Sequence, residues 1–300
     1  EYPTERWTWE DFLAAARKLT RVDESGRMTQ VGCLPYDPAT WVWSGGGDFV
    51  DDACEKLYFT DEETVSALKF YADLRNRWKV TTRNMNLIGA DPMAVDVFER
   101  GHVGMDVSGP WRLPKYVEAT KEHGIRWDIE LMPKGPAGRQ TRYAGMGIGV
   151  WADGPNRELA WEFAKFLCGP KSMTRFSKSW NDIPGRRSVA YETFGTQKAP
   201  FDVEVLLRSM EPEYGRVRVY PRTERWSRIF GYFRQEYELA LMGRQTVAEA
   251  MEKAERKVRR YLAEAEAKAG PLDYAGLSLL AVLLAGVTVW FSCRARKEQP

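Results

Sequence analysis

The sequence predicts an α/β protein of two lobes followed by one membrane-spanning helix. Three observations carry that expectation. Short period-2 segments alternate with helical ones until about residue 200, beyond which the pattern is mostly helical. At 300 residues, 44% hydrophobic and 29% charged, the chain has material for a sizeable core in two lobes. Residues 274–293, YAGLSLLAVLLAGVTVWFSC, carry no charge over a length that spans a bilayer.

The elements follow in order. TWEDFLAAARKLT (8–20) is a helix with Thr8 as N-cap, Asp11 at the capping-box position and Phe12, Ala15, Ala16 and Leu19 as its apolar stripe. A polar turn at 23–29 leads to VGCLPYDPATWVWSGGGDFVDD, where Gly45-Gly46-Gly47 marks a flexible loop. Thr64 to Trp78 is helical, with Val65, Leu68, Tyr71, Ala72 and Arg75 in phase. In FERGHVGMDVSGPWRLPKY (98–116), Val103, Met105 and Val107 alternate with Gly104, Asp106 and Ser108 as a half-buried strand. Gly109-Pro110 ends it, and a helix follows with Pro114 in its first turn and Gly124 at its close.

Trp111 therefore stands where a strand hands over to a helix, at the rim where open α/β sheets bind ligands. From these residues it is either an aromatic plug between helix and sheet or a ligand contact. IELMPKGPAGR (129–139) reads as a short strand running into a loop, and YAGMGIGVWADG (143–154) as a further strand. Asn156 caps a helix that Gly169-Pro170 stops. Val247, Met251, Ala254, Val258, Leu262 and Ala265 trace the core face of a long last helix.

Composition excludes several functions. The net charge of +2 comes from the tail, since without Arg294, Arg296, Lys297 and Glu298 the two signs are equal, and a neutral surface has no footprint for nucleic acid. Cys33, Cys54, Cys168 and Cys293 show no metal-ligand spacing, two histidines do not furnish a metal site, and no cofactor motif is present. Cys168, in an apolar helix, is expected to be a buried thiol, and a Cys33–Cys54 disulfide is disfavoured. The 12 Trp, 13 Tyr and 13 Phe exceed what a core alone requires, as a sugar-stacking cleft would.

Arg294, Arg296 and Lys297 follow the apolar run, whereas Asp273 precedes it. The positive-inside rule then sets 294–300 in the cytoplasm, 274–293 as the span, 269–273 as linker and everything earlier outside the membrane.

Five stretches in order resemble one family. They are TERWTWEDFLAAARKLT; WVWSGGGDF with its following helix; FERGHVGMDVSGPW with ELMPKGPAGR; YAGMGIGVWADGPNRELAWEFAKFL; and LALMGRQTVAEAMEKAERKV. Together they are similar to the family 1 extracellular solute-binding proteins of bacterial ABC sugar importers, the maltose-binding-protein group. The resemblance implies a type II periplasmic-binding-protein-like fold of two α/β lobes over residues 1–268. In it, 1–140 and 200–268 contribute mostly to one lobe and 141–199 to the other. It also implies further strand–helix units ahead of Trp9, so that the chain reads as N-terminally truncated.

For the site, the resemblance implies that Trp111 stacks on a sugar ring and that Trp41 or Trp43 adds a second aromatic. Gly145, Met146 and Gly147 would line the cleft with their backbone, and Trp226 or Phe230, four apart on one helix face, would supply a late aromatic. Arg186 or Arg187, in DIPGRRS, is a candidate polar contact, with a surface salt bridge as the alternative. The partners implied are a carbohydrate and an ABC permease, separate or fused to this chain with 274–293 as its first spanning helix. A membrane-tethered sugar sensor uses the same cleft. An anchored glycoside hydrolase would require two convergent carboxylates, and the acidic residues Asp48, Asp51 and Asp52 read instead as ordinary turn chemistry.

Overall fold

The computed structural model describes residues 2–82, 98, 100–178, 182–196 and 201–269. The apolar run 274–293 lies outside them; among the described residues, no helix is long and apolar enough to cross a membrane. The chain divides into two compact units, Glu1–Glu255 and Arg256–Pro300. The second is described only as far as residue 269, as continuous helix. All that follows concerns the first unit.

Helix α1 (Trp9–Leu19) starts as its sequence requires. The Asp11 amide donates to Thr8 Oγ1, and the Thr8 amide donates back to Asp11 Oδ2 at 2.9 Å, a complete capping box. Trp9, Phe12 and Ala16 turn inward. Strand β1 (Arg21–Val22) pairs antiparallel with β2 (Met28–Leu34), whose other edge pairs in parallel with β3 (Val103–Asp106) in the register Val31↔Val103, Cys33↔Met105 and Leu34↔Asp106. A parallel pair needs a long crossover, and α2 (Pro38–Ser44) and α3 (Glu62–Asn76) lie along it.

Packing of α1, α2 and α3 makes the main aromatic core. Trp41 is fully buried between Trp9, Phe12, Phe70 and Tyr71, and Trp9 stacks on Phe70 at 4.6 Å. A second cluster joins Phe49 and Phe59 to Phe233. The glycine triplet is no flexible loop. A Cβ on Gly47 would lie 2.6 Å from the backbone of Thr64, so the turn is pressed against the start of α3, and Thr64 Oγ1 donates to the Asp48 carbonyl at 2.8 Å.

The turn Pro110–Arg112 leads into α4 (Leu113–His123), which Gly124 ends in the left-handed region at φ 66°. Strand β4 (Gln140–Arg142) pairs in parallel with β5 (Arg216–Arg218). Between them lie α5 (Arg157–Leu167), α6 (Pro170–Ser177), helical turns at Arg187–Val189 and Ala190–Phe194, and α7 (Val203–Arg208). Helices α8 (Glu224–Leu241) and α9 (Val247–Ala269) complete the described chain, with Val247, Met251 and Ala254 buried as their spacing predicts.

Three expectations fail. The strand expected at 143–154 does not form: β4 ends at Arg142, and beyond the Tyr143 amide, which donates to the Arg218 carbonyl at 2.8 Å, residues 144–149 run exposed with no strand beside them among the described residues. Residues 129–133 likewise join no ladder, although Lys134 bridges Thr8. Cys168 is exposed rather than buried, because the α5 face carrying Leu159, Phe163 and Phe166 is itself uncovered. Cys33 and Cys54 are buried free thiols, and burial pushes the Cys33 thiol up to about 12. Asn156 stands at the N-cap of α5, but only its carbonyl is used, accepting from the Ala160 amide at 2.9 Å.

Trp41→Ala leaves a large void in this core and is expected to lower the unfolding free energy by about 3–5 kcal/mol, read from the urea midpoint. Gly47→Ala is expected to cost about 1–3 kcal/mol in the same assay, because a methyl overpacks the Thr64 contact. A neutral result for Gly47→Ala would return the triplet to a loose loop.

Candidate functional site

The site begins with two parallel strands ending side by side. β2 ends at Leu34 and delivers Tyr36; β3 ends at Asp106 and delivers Trp111. Both aromatics stay exposed, Trp111 by 46% and Tyr36 by 51%, and their rings meet edge-to-face with centroids 5.8 Å apart. An adjoining pair of open aromatic rings is an apolar step that a ligand with a flat apolar face can cover. They line a cleft of about 1850 Å³.

Below Trp111 lies a buried polar cluster. Arg112 Nη1 donates to Asp106 Oδ2 at 2.8 Å and to the Tyr116 hydroxyl at 3.3 Å, and that hydroxyl donates to the same carboxylate oxygen. Burial pushes the Asp106 carboxyl above its ordinary range, against the opposing pull of Arg112, and burial likewise raises the Tyr116 phenol. Asp106 is thus occupied by two donors of its own chain.

A second cluster borders the cleft behind Tyr36. Asp37 caps α2, accepting from the Ala39 amide at 3.1 Å, with its backbone held at φ 51°. Its carboxylate pairs with Arg142 and accepts from the Tyr220 hydroxyl at 2.7 Å, while the Arg142 guanidinium lies over the Tyr220 ring. Burial, then the Asp37 charge, raises the Tyr220 phenol. On the far wall, Arg187 donates to Glu211 at 3.3 Å and covers the Tyr191 ring, whose hydroxyl also donates to Glu211. The cleft therefore offers an apolar aromatic step flanked by paired carboxylates, guanidinium groups and phenols, the combination that holds a ligand with one apolar face and a polar rim. Among the described residues, no cluster of His, Cys, Asp and Glu is arranged to hold a metal ion.

The expected site residues divide. Trp111, Gly145, Met146 and Gly147 line the cleft, Met146 being 84% exposed. Trp41 is sealed in the core, and Trp43 is buried too, its Nε1 donating to Asp48 Oδ1 at 3.0 Å and its ring packing on Tyr220. Both sit inside α2, Trp41 turned to α1 and α3 and Trp43 to Tyr220 and Arg218. Trp226 and Phe230 pack on each other and on Tyr220, and neither borders the cleft. Arg186 points away and donates to the Cys168 carbonyl at 3.2 Å; Arg187 is the arginine on the cleft wall. Tyr36 and Asp37 went unread, although the signal that marks Trp111, an aromatic just past a strand end, marks Tyr36 equally.

The model of the family described as bacterial extracellular solute-binding protein matches residues 4–200. A galactooligosaccharide-binding protein of Bacillus subtilis is 26% identical over 192 residues, 61% of this chain and 44% of its own, so the chain spans less than half of that relative. Among solved structures, an ABC substrate-binding protein from Listeria monocytogenes in complex with cycloalternan superposes with a TM-score of 0.75 at 22% identity, over 88% of this chain and 66% of that one. The maltodextrin-binding domain of Bdellovibrio bacteriovorus bound to maltotriose gives 0.66 at 15%, over 88% and 68%. With a family match over about two thirds of its length, the chain belongs to the bacterial extracellular solute-binding proteins.

Proposed function

We propose that the protein captures a sugar or oligosaccharide between two lobes outside the cytoplasm and delivers it to an ABC permease. The observation that carries this reading is the open indole of Trp111, set edge-to-face against Tyr36 inside a cleft of about 1850 Å³. A pyranose has a flat face of C–H groups that an indole covers, and a rim of hydroxyls that need polar partners. Asp37, Arg142, Arg187, Tyr191 and Glu211 stand around the cleft to meet them. A site built to pair hydroxyls rejects analogues that leave its buried polar groups unsatisfied. The relatives named for galactooligosaccharide, cycloalternan and maltotriose support the same ligand class.

The two lobes we assign as before, 1–140 with 200–268 and 141–199. Tyr143 and the glycines at 145, 147 and 149 follow directly on the 140/141 boundary, and rotation there closes the cleft over the sugar. Closure buries most of the ligand and changes the surface offered to the permease, so occupancy becomes a signal to the membrane partner. The uncharged run 274–293, followed by Arg294, Arg296 and Lys297, supports a C-terminal membrane tether with a cytoplasmic tail.

A thermal-shift screen against mono- and oligosaccharides, maltotriose included, is expected to yield at least one ligand that raises the melting point. Trp111→Ala is expected to weaken that ligand at least about 30-fold while leaving the unliganded melting point within a few degrees. Collapse of the fold instead would make Trp111 a plug. For the tether, the full chain is expected to stay in the membrane pellet through an alkaline wash and a chain lacking 274–293 to be released; release of both would remove the anchor.

A further inference from the structure

The residue before Pro110 is glycine for a reason that its backbone does not supply. Gly109 has φ −128° and ψ 174°, extended geometry that any residue adopts. What it lacks is room. A Cβ built on Gly109 would fall on Cζ3 and Cη2 of Trp111 and 2.5 Å from Cε3. The six-membered ring of the indole occupies the place of the missing side chain.

The surrounding main chain has little freedom to relieve such an overlap. Pro110 holds its own φ. The Arg112 amide closes the turn onto the Gly109 carbonyl at 3.1 Å. The Arg112 side chain is tied to Asp106 and Tyr116, and Leu113, the first residue of α4, is buried. The indole alone is loose enough to yield, since it is 46% exposed and bounded on another side by the edge of Tyr36.

We propose that Gly109 is a positioning residue for Trp111: its absent side chain is the seat that holds the indole in one pose, open to the cleft. A methyl there rotates the ring about χ1 and χ2 to another well and displaces the face that a ligand covers. The seat costs the fold little, because an alanine adopts this backbone without strain and loses entropy only in the unfolded chain. Affinity and stability are thereby separated at a single atom. The consequence for binding rests on the sugar-capture reading; the consequence for the ring does not.

The test uses the full chain labelled with 5-fluorotryptophan, the Trp111 resonance being assigned by its loss in Trp111→Phe. In Gly109→Ala the fluorine line of Trp111 is expected to shift or broaden while the other tryptophan lines hold and the melting point stays within about 2 °C. An unmoved Trp111 line overturns the proposal, as does a general shift of lines with a large fall in melting point, which would make Gly109 a packing residue of the fold. With a saccharide that binds the parent, Gly109→Ala is expected to weaken binding about tenfold or more, and to have no further effect when Trp111 is already Phe. Unchanged affinity beside a displaced ring overturns the positioning role. If no saccharide binds the parent, the sugar reading falls while the fluorine spectrum still decides the seat.

Discussion

The parallel pairing of β2 with β3 is the constraint on which the site depends. Two parallel strands in register end at the same edge, so whatever each chain carries next must meet. The register Leu34↔Asp106 brings Tyr36 and Trp111 to 5.8 Å although they are far apart in sequence. A slip of one residue would turn every side chain of the strand to its other face and separate the pair. Trp41 and its aromatic neighbours bury the crossover helices, and that burial holds the register.

Around the aromatic step, three carboxylates are paired. Asp106 has Arg112 and Tyr116; Asp37 has Arg142, Tyr220 and the α2 cap; Glu211 has Arg187 and Tyr191. The Asp106 and Asp37 carboxylates are buried, where an unpaired charge is costly, and their pairing leaves fixed polar edges; Arg187 is exposed. Asp106 sits under Trp111 as part of the turn that aims it, and Asp37 stands at a positive φ where the chain bends from Tyr36 into α2. Recognition and local architecture thus share residues.

Two apolar stretches stand apart from this economy. Leu159, Phe163 and Phe166 of α5 and Met146 and Ile148 of the extended stretch are exposed, the opposite of what an apolar helix and a Gly-alternating strand prefer. The chain spans 66% and 68% of the two solved structures compared above and 44% of the Bacillus relative. The extended stretch, unlike the exposed α5 residues, lines the cleft through Gly145, Met146 and Gly147.

Local physics made much of this readable in the sequence. The Thr8 capping box, the Gly124 terminator, the Val103–Asp106 alternation and the core stripe of α9 depend on neighbours a few residues away, and each stands where its pattern puts it. So does Trp111, because a strand end followed by Gly-Pro is a local signal. What a pattern lacks is the identity of the distant partner. Trp41, Trp43, Trp226 and Phe230 have the composition of a sugar cleft, yet the first three are buried and Phe230 packs on Trp226 and Tyr220. Arg186 and Arg187 differ by one position, and only the direction of the helical turn set the second on the wall. Residues 143–150 have the alternation of a strand but form a ladder only when another strand lies beside them. Spacing along the chain determines which elements form; which side of each meets solvent, core or cleft is decided by contacts between residues far apart in sequence, and those exist only once the chain has folded.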